Sequence, residues 1–241
     1  MSDEELLKSI KDKIKRIENL TDNDIEDYAF EEIKSQKKIL PNKFFTYNNH
    51  NKIAIFLAGP SGAGKTETAE KISENFKIDI VDTDRIRQIC SGYSGEKANL
   101  FQKAASRGVS ILLNHAFTKN LSFILDGNFA EYDIQKENIE RAISRGYQID
   151  ILFVYRDYNT SKKYTEIREK KEGRKVPESV FNRKFEDSMK TTLQIAKEYQ
   201  VSVKLYDLKT NKIYHDTNEA ISRISSLLKQ KEWQHDLGIS R

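Results

Sequence analysis

A single cysteine, Cys90, among 241 residues leaves the chain without an internal disulfide, and no Cys/His pairing has the spacing of a structural zinc site. Neither covalent staples nor structural metal are implied, and the expected compartment is the reducing cytoplasm. Long apolar runs are missing as well. No segment approaches the roughly eighteen apolar residues of a membrane span, and the amino-terminal stretch is dense in charge with no apolar signal core. The expectation is neither secretion nor membrane insertion. An excess of one charge is also lacking: 41 basic against 37 acidic residues give a formal net charge of +4, too diffuse for a nucleic-acid footprint. Hydrophobic residues reach 37% against 32% charged, so the surface is strongly ionic, while aromatics at 10% can anchor a core. The length suits one sizeable α/β unit with an appendage.

Leu6, Ile10, Ile14 and Ile17 recur at three- and four-residue spacing and predict a first amphipathic helix over residues 3–18. Thr21 with Asp24 reads as a cap opening a second, with Ile25, Tyr28 and Ile33 on its apolar face. Pro41, Asn42 and the Asn-rich run 48–51 then break the periodicity and give the clearest linker signal. Two units are expected: a helical N-terminal extension, 1–47, and a larger unit, 50–235. Within the latter, strand-like runs at 53–58, 78–82, 122–125, 149–155 and 202–206 alternate with helical patterns at 65–75, 97–119, 133–145, 160–199 and 217–231. Such alternation predicts an α/β fold, a mainly parallel sheet with helices on both faces.

Gly59-Pro60-Ser61-Gly62-Ala63-Gly64-Lys65-Thr66 fits G-x-x-x-x-G-K-[ST], with an apolar strand before it and a helix after it. The glycines let backbone amides turn inward around phosphates, and the helix beginning at Lys65 adds its positive end. Lys65 is expected to span the β- and γ-phosphates of ATP, and the Thr66 hydroxyl to complete the coordination of Mg²⁺. GTPases, ATPases and small-molecule kinases share this loop, so the acceptor must be read elsewhere.

Asp82 and Asp84 end the second strand at the carboxyl edge, where open α/β sheets gather ligands. Asp84 is the candidate to orient or accept the proton of an acceptor hydroxyl; helix capping is the competing role, and for Asp82 the two weigh equally. Asp126 ends the third strand and would bind the acceptor, hold the metal's water shell or simply face solvent. Beyond the fourth strand lies a run dense in cations: Arg156, Lys162, Lys163, Arg168, Lys170, Lys171, Arg174, Lys175, Arg183 and Lys184. Most of these face solvent in any fold. A helical pair hinged at Gly173, its second helix opening at Pro177, would form a lid over about 157–190 and carry Arg168 and Arg174 onto the transferring phosphate. His115 and the aromatics Phe117, Phe123, Phe129, Phe153 and Tyr155 read as packing, and Cys90 has no pattern of a nucleophile.

The loop at 59–66, the D-x-D of Asp82 and Asp84, the acidic strand end at Asp126, and Gly173-Arg174-Lys175-Val176-Pro177 running through Arg183-Lys184-Phe185 to Ser188 occur in the order seen in one group of kinases. In these residues the chain resembles the zeta-toxin family of P-loop kinases, the toxin half of epsilon/zeta toxin–antitoxin systems. Leu205-Tyr206-Asp207 with Ile213-Tyr214 is similar to the family's closing strands, so the likeness spans about 50–215. The resemblance implies a kinase for a nucleotide-activated sugar, typically UDP-N-acetylglucosamine phosphorylated at the sugar 3′-hydroxyl. It implies that Lys65 binds phosphate, Asp84 is the base, Arg168 and Arg174 clamp the transferring group, and Asp82, Asp126 and Arg183 line the acceptor side. Two departures stand out: no acidic residue lies near Ser110, where the family carries a sugar-binding glutamate, and Asp126 occupies a position where glutamate is usual. A kinase for a nucleoside, antibiotic or polynucleotide end, and a regulatory ATP-binding switch with little turnover, remain alternatives. The N-terminal helices would restrain the kinase in cis as an antitoxin does in trans, or serve as a stabilising or oligomerising extension.

Overall fold

The computed structural model describes residues 21–173 and 176–236; the helix expected over 3–18 lies outside them. Helix α1, Asp22–Ser35, opens with a capping box in which Thr21 and Asp24 satisfy each other's backbone amides. Its buried stripe is Ala29 and Ile33, with Ile25 packed alongside, whereas Tyr28 is 60% exposed. The sequence expectation put Tyr28 on that face; the stripe instead follows i, i+4, i+8 through Ile25, Ala29 and Ile33. Helix α2, Leu40–Phe44, is a further correction: Pro41 sits in its first turn, where a missing N–H costs nothing, and so starts a helix rather than ending one. Leu40 and Phe44 are buried in the main core. The chain is then tied down at Asp79, a buried carboxylate that accepts from Thr46 N at 2.9 Å, Thr46 Oγ1 at 3.0 Å and Tyr47 N at 3.1 Å.

Strands β1 (Ile53–Ala58), β2 (Asp79–Asp82), β3 (Phe123–Asp126), β4 (Gln148–Tyr155), β5 (Ser202–Asp207) and β6 (Lys212–Tyr214) form one six-stranded sheet ordered β2-β3-β1-β4-β5-β6. All neighbours are parallel except β5 with β6. The alternation of β1 explains the layering. Ala54, Phe56 and Ala58 enter the larger core, while Leu57 joins Ala69, Ile78 and Ile124 on the opposite face with Ile53 and Ile55 alongside. Both faces are apolar because both are covered. Phe56, Phe117, Phe123 and Tyr147 meet edge to face or tilted in the larger core, the packing role expected of Phe117 and Phe123.

Helices α3 (Lys65–Phe76), α4 (Thr83–Gln88), α5 (Gln102–Lys119) and α6 (Tyr132–Ile143) connect the strands. The helix expected from 97 begins at Gln102, because Gly95–Phe101 is a 3₁₀ segment. Helices α7 (Tyr158–Glu172) and α8 (Glu178–Tyr199) form the expected pair, with Gly173 in the left-handed region at φ +71° and Pro177 as the cap of α8. Helix α9, Thr217–Asp236, packs on β5 and α8. No helix among the described residues is long and apolar enough to cross a membrane.

Candidate active site

The reversal of strand order lies at β1: the chain leaves β1 for β2 on one side of the sheet, while β4 adjoins β1 on the other. A crevice opens at the carboxyl edge at such a point, and the 59–66 loop follows β1 directly into it. Gly62 holds φ +72°, and a Cβ there would stand 2.2 Å from the Ser161 carbonyl oxygen and 2.8 Å from Thr165 Oγ1. Glycine is required at 62 because the first turns of α7 lie directly on the loop.

Lys65 folds back on this loop, its Nζ donating to the carbonyls of Gly59 at 3.0 Å and Pro60 at 2.7 Å. Burial pulls its pKa down to about 8, with Arg168 adding repulsion and Asp126 and Asp84 opposing the shift. Thr66 donates its hydroxyl to Asp126 Oδ2 at 2.9 Å. Burial also raises Asp126 above the usual carboxylate range, against the pull of Lys65 and the Thr66 hydrogen bond. The ladder places Asp126 directly opposite Asp82. Asp82 is raised to about 6 by burial and by the charges of Asp126 and Asp84, and its Oδ1 accepts from Asp84 N at 2.8 Å. Asp82 therefore caps α4, one of the two roles its position allowed.

Asp84 faces inward from the first turn of α4. Arg87, one turn on, donates to its Oδ1, and Arg168 from α7 brings Nη2 to 3.5 Å from Oδ2. Lys65, Asp82, Asp84, Asp126 and Arg168 thus converge on one point at the mouth of the loop. Arg183 does not join them: its side chain is 64% exposed on α8, 4.0 Å from Asp187. Arg174 lies outside the described residues. Two residues that the sequence reading missed stand beside Asp84: Arg87, only 5% exposed, and Gln102, which accepts from the second Arg87 nitrogen. The i, i+3 spacing of Asp84 and Arg87 on a helix was the available signal. Arg156 was counted among the cations without a role; its guanidinium covers the Tyr164 ring at 4.3 Å and, with Leu208, flanks Gly64.

The sequence profile of the zeta toxin family matches residues 36–219. The chain belongs to the zeta toxin family. That match begins inside the helical segment that precedes β1 and ends in the first turn of α9. Among solved structures, a chain of the PezAT chromosomal toxin–antitoxin system of Streptococcus pneumoniae is 19% identical, with 81% of this chain and 84% of that chain covered and a TM-score of 0.67. A chain of the AvrRxo1-ORF1:AvrRxo1-ORF2 complex with sulphate ions is 11% identical, with 79% of this chain and 65% of that chain covered and a TM-score of 0.55. At these identities the likeness is one of fold, shared here with a zeta toxin sequence profile. No curated protein matches the chain in sequence.

Proposed function

We propose that this zeta toxin family member is an ATP-dependent phosphotransferase that moves the γ-phosphate to an alcohol of a nucleotide-activated sugar of the UDP-N-acetylglucosamine type. On this reading it acts as the toxin of a pair with an antitoxin protein. The observation that carries the reading is the convergence of Lys65, Asp84 and Arg168 at the mouth of the glycine loop. A loop of inward amides with one ammonium group suits a triphosphate, and an acid within reach of a partly exposed guanidinium suits an acceptor hydroxyl beside a transferring phosphate.

In this reading Lys65 exchanges its bonds to the Gly59 and Pro60 carbonyls for the β- and γ-phosphate oxygens. Asp84 aligns the acceptor hydroxyl and takes its proton as the new P–O bond forms and the bond to the departing ADP oxygen breaks. Arg168, together with Arg174, neutralises the equatorial oxygens. Thr66 would hold Mg²⁺ and Asp126 would accept from its water shell; both offer the hard oxygens that ion takes. Bound with the triphosphate, Mg²⁺ supplies charge neutralisation to the phosphate oxygens. Among the described residues no group of three or more acidic, histidine or cysteine side chains forms a metal cage, and an ion held mainly by phosphates and water needs none.

The test is incubation of purified protein with ATP, Mg²⁺ and a panel of UDP-sugars, read by mass spectrometry. A phosphorylated sugar nucleotide is the expected product. Labelling of nucleosides or nucleic-acid ends alone would assign the acceptor to another class, and no transfer at all with intact ATP binding would leave a switch.

A further inference from the structure

Among the described residues, Arg87 and Arg168 approach Asp84 with guanidinium groups of unlike character. Arg168 reaches Oδ2 from α7, 45% exposed and 3.5 Å away, on the helical pair expected to follow the phosphate. Arg87 takes Oδ1 from inside the protein, 5% exposed, and is fixed from behind by Gln102 at the start of α5. A planar fork that spends one nitrogen on a carboxylate and the other on an amide oxygen sets direction as well as charge. Burying such a group is costly as a mere brace, since an apolar side chain of similar volume fills the same space without desolvating a charge.

We propose that Arg87 is the positioning residue for Asp84: it immobilises Oδ1 so that Oδ2 alone is presented to the acceptor hydroxyl once Arg168 has moved to the γ-phosphate. Gln102 serves by fixing the Arg87 fork. The assignment rests on the phosphotransferase reading above. Among the described residues, the charged groups that face Asp84 include Arg87 on its own helix, Arg168 on α7, Lys65 at the start of α3, and Asp82 and Asp126 at the strand ends. Lys65 and Arg168 are committed to phosphate during turnover, whereas Arg87 stays on Oδ1 and keeps Asp84 aimed.

The test compares wild type, Asp84→Asn, Arg87→Lys, Arg87→Met and Gln102→Ala as full chains, with UDP-N-acetylglucosamine as acceptor and MgATP affinity measured separately. Arg87→Lys keeps the charge and loses the fork. It should lower kcat by about 10²-fold, with ATP affinity within about twofold and the acid limb of the pH–rate profile in place. Arg87→Met loses both, so the same fall should come with the acid limb displaced to higher pH. Gln102→Ala, on an exposed residue that leaves the core untouched, should lower kcat several-fold with the limb unmoved; it keeps the question answerable if Arg87→Met fails to fold. A folded Arg87→Lys or Gln102→Ala with wild-type kcat overturns the assignment, as does an Arg87→Met profile that keeps its acid limb. A wild type that transfers nothing, or an Asp84→Asn that transfers normally, instead removes the phosphotransferase reading beneath it, and the two failures are distinct.

Discussion

Gly62 offers a direct check on the contact between the glycine loop and α7. Replacing it with alanine introduces two separable costs. The residue sits at φ +72°, where an L side chain costs about 1–2 kcal/mol. The new Cβ would also lie 2.2 Å from the Ser161 carbonyl, so the helix must withdraw by about 1 Å, at an overpacking cost of about 1–3 kcal/mol. Gly146 separates the two, because it holds φ +71° with nothing within 4 Å of the equivalent Cβ. Gly146→Ala should therefore show the backbone cost alone, and Gly62→Ala the sum. For a unit of this size the difference corresponds to about 2–10 °C in Tm, read by thermal unfolding. Function should respond more steeply. Arg168 lies two turns beyond Ser161 on α7 and reaches Asp84 from there, so a shift of this size should cut the rate of phosphoryl transfer by about 10²-fold. Gly146→Ala should transfer at the wild-type rate. If Gly62→Ala melts with Gly146→Ala and keeps full transfer, the loop and the helix are not in contact as described, and the case for Arg168 acting on the phosphate falls with that contact.

Lys65→Met should abolish MgATP binding and, with no ligand present, stabilise the protein. Its folded pKa of about 8 lies below the unfolded 10.5, so the native state holds fewer protons between those values and the cost of the buried ammonium, on the order of 3 kcal/mol, is borne in full below pH 8. The stability gap between Lys65→Met and wild type, measured by denaturant titration, should be widest at neutral pH and close between pH 8 and 10.5; a gap constant with pH refutes the assignment of that strain to the ammonium. Asp79→Ala leaves the amides of Thr46 and Tyr47 and the Thr46 hydroxyl without their buried acceptor, for an expected loss of about 2–4 kcal/mol in urea unfolding; a loss under about 0.5 kcal/mol would mean water replaces it freely. Deleting residues 1–45 removes Ala29, Ile33, Leu40 and Phe44 from the core and should leave an unstable product, whereas deleting 1–20 tests restraint in cis. A folded 1–20 deletion with unchanged transfer and unchanged toxicity would count against restraint.

The sheet was readable from sequence because the central strands β1 and β3, covered on both faces, write nearly continuous apolar runs, and because the glycine loop has a fixed spacing between strand and helix. The positions of Asp82, Asp84 and Asp126 near the carboxyl edge were readable, although Asp84 lies past its strand, in the first turn of α4. The partners of Asp84 were not. Arg87 reads as one more charge on a polar helix, and only the closure of α5 over α4 removes it from water and sets Gln102 behind it. Tyr28 and Pro41 failed in the same manner: an apolar side chain and a helix breaker were judged by type, while the outcome turned on which face met α5 and which turn of the helix the proline entered. The asymmetry has a consequence for transfer. In the proposed reading the loop residues Gly59 to Thr66 lie in one local motif and so are visible along the chain. The groups around Asp84 come from α4, α5, α7 and β3, segments that meet only after the sheet has formed. On the phosphotransferase reading, substitutions at Gln102 and Arg87 should therefore lower the rate of transfer before they alter the hold on ATP.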